Sequence, residues 1–203
     1  MLALQGPPAH IKQEIDGFMG CSSELMALTA EVIAVARRCQ IYPTKERSST
    51  AYLESLERRF HMVTQSCSHI SLILGELSPL GSLIESFLVQ PEVRVRSKIL
   101  VLTAEARRQA SLLLLYVGVR GFCASRTEVR VRVANCLLCL SAVSQLMAAE
   151  DAPLWGMTPI IWPLFMAGSC VTTESQRIQV MEMFENLKRS KCLGVSLSEA
   201  TYH

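Results

Sequence analysis

Leu112 to Leu115 are apolar on every side of a helix, inside an apolar run that continues to Val119. A helix with no polar face has to be enclosed by other elements. The stretch from Ala104 to Arg120 is therefore expected to be the central helix of the fold, with the rest of the chain packed around it. The unbroken apolar run from Leu112 to Val119 is less than half the ~20 residues a membrane-spanning helix needs, so no membrane span or membrane partner is expected.

The surrounding elements show the same helical spacing. After Ser22 or Ser23 as N-cap, Leu25, Leu28, Val32, Val35 and Cys39 recur at intervals of three and four, the mark of one amphipathic helix. Arg37 and Arg38 suit its C-terminus, and a loop follows over 41–49. A second stripe, Leu53, Leu56, Phe60, Val63 and Cys67, starts near Ser49 or Thr50. Gly75, Pro79 and Gly81 imply a turn between two short helices within 72–88.

Glu92-Val93-Arg94-Val95-Arg96 alternates like a strand, but the same five residues recur at Glu128 to Arg132, where they open a helix carrying Val129, Val133, Cys136, Leu140, Val143 and Met147. Alternation is thus no strand signal here. Pro159 can start a helix over 160–167, with Pro163 in its first turn or at a kink. Thr173 and Gln176 form a capping box for a last helix whose expected buried stripe is Ile178, Met181, Phe184 and Leu187. The fold class that follows is all-α, an irregular multi-helix bundle, since no heptad persists. Residues 1–20 read as an N-terminal extension, partly disordered, and 21–203 as the helical domain.

No catalytic signature is present: there is no nucleophile elbow, phosphate-binding glycine loop, zinc-protease helix or magnesium-binding aspartate pair. No catalytic, cofactor-binding or metal-ligating residue is assigned, and the chain is not read as an enzyme. Of the eight cysteines, Cys136 and Cys139 alone form a Cys-x-x-Cys. With leucines around it and no second pair nearby, it reads as core packing. His61 and His69 would lie ~12 Å apart along a helix, too far to share a metal. Glu150-Asp151 reads as solvated loop charge. Gln5, Gly6, Pro7 and Pro8 stand where a secretory signal needs a basic start, so export is not expected. Charge is uneven: residues 91–132 hold nine Lys or Arg against three Glu. Arg107, Arg108, Arg126 and Arg130 are expected on wet helix faces, and too few aromatics interleave with them for a base-stacking platform.

Three segments carry a family resemblance. Ile160-Ile161-Trp162-Pro163-Leu164-Phe165-Met166-Ala167-Gly168-Ser169-Cys170, followed by Glu174 and Arg177, resembles a signature near the end of the regulatory domain in fungal-specific zinc-cluster transcription factors. Gly20-Cys21-Ser22-Ser23-Glu24-Leu25 and Arg108-Gln109-Ala110-Ser111-Leu112 to Tyr116 lean the same way, in matching order. The similarity covers the C-terminal part of that domain, and relatives usually continue beyond the point matching His203. The zinc in such proteins belongs to an N-terminal six-cysteine cluster that this sequence lacks, so no cofactor is expected in this chain.

The resemblance implies a transcriptional regulator of the nucleus, acting on metabolic-pathway genes under RNA polymerase II. It implies contacts with transcription factors or coregulators, with a homodimer left open, and no sequence-specific DNA binding by this chain alone. Within the motif, Trp162, Pro163, Leu164, Phe165, Gly168 and Arg177 are singled out and read as structural, with Trp162 and Phe165 sharing a core face. The alternative is a helical enzyme or carrier enclosing an apolar small molecule in a cavity lined by Met62, Met147, Met166, Met181 and Trp162.

Overall fold

The computed structural model describes residues 13–17, 19–41, 49–67, 70–71, 80–90, 93–150 and 158–189. Among them run helices α1 (Ser23–Ile41), α2 (Thr50–Met62), α3 (Leu80–Leu88), α4 (Val95–Leu113), α5 (Thr127–Glu150), α6 (Thr158–Gly168) and α7 (Glu174–Arg189). Strand content is confined to two-residue pairs: β1 (Ile15–Asp16) with β2 (Cys21–Ser22), and β3 (Ser66–Cys67) with β4 (Ile70–Ser71), both antiparallel. The chain is all-α. Ile15 is buried, so packing begins ahead of residue 21, and Gly20 makes the β1–β2 turn possible with φ of 66°.

The centre is α4, longer at its start than the sequence suggested and followed by a π-helical segment, Leu114–Val119. There Arg120 N–H bonds to the Leu115 carbonyl at 3.0 Å, and Gly121 ends the run with φ of 68°. α5 makes its most extensive contact with α4, and α6 packs on both. α1 lies on the π segment, α3 on α5 and α7 on α6. Thr127–Ala148 is long and apolar enough to cross a membrane by length and composition. Its apolar face, Val129, Val133, Cys136, Leu140 and Val143, is buried in a helix packed against α4 and α6, as in any core helix.

The helix starts follow local chemistry. Ser22 Oγ accepts from Leu25 N–H at 3.3 Å to cap α1, and Thr173 Oγ1 accepts from Gln176 N–H at 3.3 Å to cap α7. Lys98, only 4% exposed, donates to the Leu88 and Gln90 carbonyls at 2.7 Å each. A buried cation thus closes the C-terminus of α3, where the helix dipole favours it.

Several expectations are corrected. Cys67 leaves the α2 stripe, because that helix stops at Met62 and Ser66–Cys67 pairs as a strand. Of the two expected places for Pro163, the first turn is excluded, since it falls in the second turn of α6. Ile178 and Met181 are 51% and 57% exposed, whereas Val180 and Leu187 are buried. α7 is therefore rolled relative to the expected stripe, because Val180 is the side chain that meets Gly168. Met62 is 77% and Met181 57% exposed, so α2 and α7 turn these two of the five expected cavity-lining side chains outward. His69 and Asp151 lie outside the described residues.

Candidate functional site

The motif helix α6 is anchored to α4 from one side only. Leu164 and Pro163 are buried and Trp162 is half-buried, but Phe165 is 62% exposed. The expected shared core face of Trp162 and Phe165 is corrected: α6 lies along α4 and α5, and Phe165 projects away from them. The Trp162 ring lies 5.8 Å from the Arg107 guanidinium. That guanidinium also reaches Met26 Sδ at 3.1 Å and Cys21 Sγ at 3.8 Å. The Cys136 thiol bridges the Ala106 and Pro163 carbonyls at 3.5 and 3.6 Å. Gly168 packs so tightly that an added Cβ would stand 3.0 Å from Val180 Cγ1. Arg177 is exposed on α7 and pairs with Glu174 at 2.9 Å.

The three segments that carry the resemblance therefore converge around α4. Arg107, next to the central segment, touches Cys21 of the first and Trp162 of the third. Thr29 Oγ1 and Ser111 Oγ, 2.8 Å apart, tie α1 to the same helix. A family model described as fungal specific transcription factor domain matches residues 4–200. The chain belongs to that family. Neither a curated protein nor a solved structure matches it.

What sequence reading missed in this fungal specific transcription factor domain is a polar seam through the core. Glu105 accepts from Arg108 Nε at 2.9 Å and Nη2 at 2.8 Å, and from Gln109 Nε2. Arg132 Nη1 donates to Gln109 Oε1 at 3.3 Å, and Arg108 Nη1 to the Phe60 carbonyl at 3.4 Å. Farther along, Glu57 joins the Tyr116 hydroxyl and Arg120, the latter at 2.7 Å. Arg108 is thus corrected from wet face to core, and Arg107 turns inward to half-burial. The clue was present: Glu105, Arg108 and Gln109 sit at spacings of three and four, so they share one face of the most enclosed helix.

Burial, with the Glu57 hydrogen bond second, pushes the Tyr116 hydroxyl up to about 12. The protonated form is the one the fold favours, so the unfolded chain loses its proton first, near pH 10. Stability from Tyr116 is full below pH 10 and is lost as pH rises toward 12. Denaturant melts of wild type and Tyr116→Phe across pH 9–12 should show the wild type falling by ~2 kcal/mol relative to the variant. Parallel curves would refute this.

Among the described residues, no group of three His, Cys, Asp or Glu is placed to hold a metal ion. Cys21, Cys136, Cys139 and Cys170 are buried, and Cys123 is exposed. Burial raises the Cys136 and Cys139 thiols, whereas the Ser125 hydroxyl lowers that of Cys123. Mass mapping after brief alkylation of native protein should find Cys123 modified well before these four, because thiolate and access both govern the rate. Early labelling at Cys136 would contradict the packing.

Concave surfaces among the described residues include a groove of about 490 Å³, lined by Cys39, Thr50, Leu53, Val119, Arg120 and Phe122. A shallow one of about 570 Å³ runs along α7 past Arg177, Ile178, Met181, Glu182 and Glu185.

Proposed function

We propose that this chain is a helical regulatory module that controls transcription in the nucleus, on metabolic-pathway genes, through contacts with other transcription regulators. The observation that carries the reading is the exposed apolar face of α7, where Ile178 and Met181 stand among Glu174, Arg177, Glu182 and Glu185. Apolar side chains set in a polar rim are the ordinary form of a protein contact site. Direct DNA reading by this chain is disfavoured by where its basic residues go. Of the nine cations in 91–132, Lys98 and Arg108 are buried and Arg107, Arg120 and Arg132 half-buried. These five face Glu105, Glu57, Gln109, main-chain carbonyls and aromatic rings, so that four of the nine, Arg94, Arg96, Arg126 and Arg130, are exposed where phosphates could reach them.

The test is to fuse the full chain to an unrelated DNA-binding domain and read a reporter in a fungal host. Reporter output should change several-fold, and Ile178→Asp with Met181→Asp should abolish the change while the protein stays folded. An unchanged reporter with abundant nuclear fusion protein overturns the reading. The alternative, a helical carrier or enzyme for an apolar small molecule, has the groove at Leu53, Val119 and Phe122 in its favour. A metabolite that raises the melting temperature through that groove would support it.

A further inference from the structure

Arg107 is a cation held by soft atoms. Among the described residues its guanidinium meets Met26 Sδ at 3.1 Å, Cys21 Sγ at 3.8 Å and the Trp162 ring at 5.8 Å. Its Nε is buried and bonds to no acceptor. Sulfur accepts only weakly, so the donors of a half-buried charge are poorly served here, a costly arrangement. The placement is firm. One turn along from Met26 and Arg107, Thr29 Oγ1 and Ser111 Oγ lie 2.8 Å apart, so the two helices hold the thioether and the guanidinium face to face. Of the two sulfurs, Cys21 is wholly buried and Met26 half-buried, which leaves the thioether as the one within reach of a small solute.

We propose that Met26 is a reversible oxidation site, taken to the sulfoxide by hydrogen peroxide and held in that state by Arg107. The sulfur gives an electron pair to one peroxide oxygen, an S–O bond forms and the O–O bond breaks. The other oxygen leaves as water, carrying both protons, so sulfur is oxidised by two electrons and peroxide reduced by two. A sulfoxide ordinarily damages packing, because it sets a polar oxygen among apolar atoms. Here that oxygen arrives beside a guanidinium short of acceptors, and a charge-assisted N–H···O bond replaces a weak N–H···S contact. The oxidised form ties α1 to α4 more tightly and shifts the charge held over Trp162 of α6. A dithiol acting through a sulfoxide reductase reverses the step: the oxygen leaves as water and the dithiol becomes a disulfide. The inference stands independently of the transcriptional reading.

The test is graded hydrogen peroxide on the full chain carrying Met62→Leu and Met181→Leu, since those two methionines, 77% and 57% exposed, oxidise by exposure alone. Peptide mass mapping of the native protein should find one oxygen added at Met26 while the melting temperature holds or rises. With Trp155→Phe leaving Trp162 as the sole emitter, its fluorescence should change in step and return when sulfoxide reductases and dithiothreitol are added. In an Arg107→Gln background the same oxidation should lower the melting temperature by roughly 2–4 °C. A second comparison needs no oxidant. Met26→Gln, which carries a carbonyl oxygen toward Arg107, should melt roughly 2–4 °C above Met26→Leu, although burial alone favours leucine. Oxidation of Met26 only after unfolding overturns the proposal, as does an equal loss of stability with and without Arg107. Unchanged Trp162 emission at full oxidation, a sulfoxide that the reductases cannot remove, or a Met26→Leu protein more stable than Met26→Gln overturns it too.

Discussion

Arg108→Ala is expected to cost about 3–5 kcal/mol, the range for removing one partner of a buried ion pair. The side chains of Arg108 and Glu105 are 9% and 5% exposed, so the variant strands a carboxylate in the core with Gln109 as its remaining donor. Set against a total stability of ~5–15 kcal/mol, such a loss is severe. The loss belongs to the orphaned charge more than to the pair, so Arg108→Met with Glu105→Met should recover most of it. Urea melts of the three proteins decide the matter. A single variant within ~1 kcal/mol of wild type would show that the seam is open to water. A double variant as unstable as the single would show that the pair is needed for more than its charge balance.

Gly168→Leu is expected to be comparably damaging, about 3 kcal/mol or more, by overpacking. An ideal Cβ at this position already approaches Val180 Cγ1 to 3.0 Å, and leucine would bring three further carbons into the space where α6 turns toward α7. Gly168→Ala should be far milder, within ~1 kcal/mol, since Val180 needs to give by only a few tenths of an ångström. If the contact is the cause, Val180→Ala in the Gly168→Leu background should recover part of the loss. Thermal melts would show this ordering. A Gly168→Leu protein that folds normally yet loses reporter output would instead make this glycine part of a contact surface.

The core of α1 and α5 could be read directly, because their apolar residues recur at one period and nothing competes with it. Leu25, Leu28, Val32 and Val35, and Val129, Val133, Cys136, Leu140, Val143 and Met147, are all buried. The caps at Ser22 and Thr173 were equally plain, since a hydroxyl ahead of a helix has one local job. α7 was harder. Ile178, Met181, Phe184 and Leu187 form one apolar row, and Val180, Met183 and Leu187 form another close beside it. Periodicity cannot choose between them. Arg108 was misread for a related reason: a guanidinium among apolar residues is ordinarily solvated, and only a carboxylate one turn away in an enclosed helix makes burial tolerable.

Sequence by itself determined the fold class, the central place of the segment around Leu112–Leu115 and most helix starts, because each rests on residues close together in the chain, and it determined the family through three short segments in matching order. The tertiary structure alone decided the roll of α7, the exposure of Phe165, and the joining of Glu57, Tyr116, Arg132 and Glu105 through the core. Those depend on which surfaces meet across long separations. A gap the size of one missing methyl at Gly168, or a carboxylate brought over from α2, tips a choice between faces that are nearly equal in hydrophobicity.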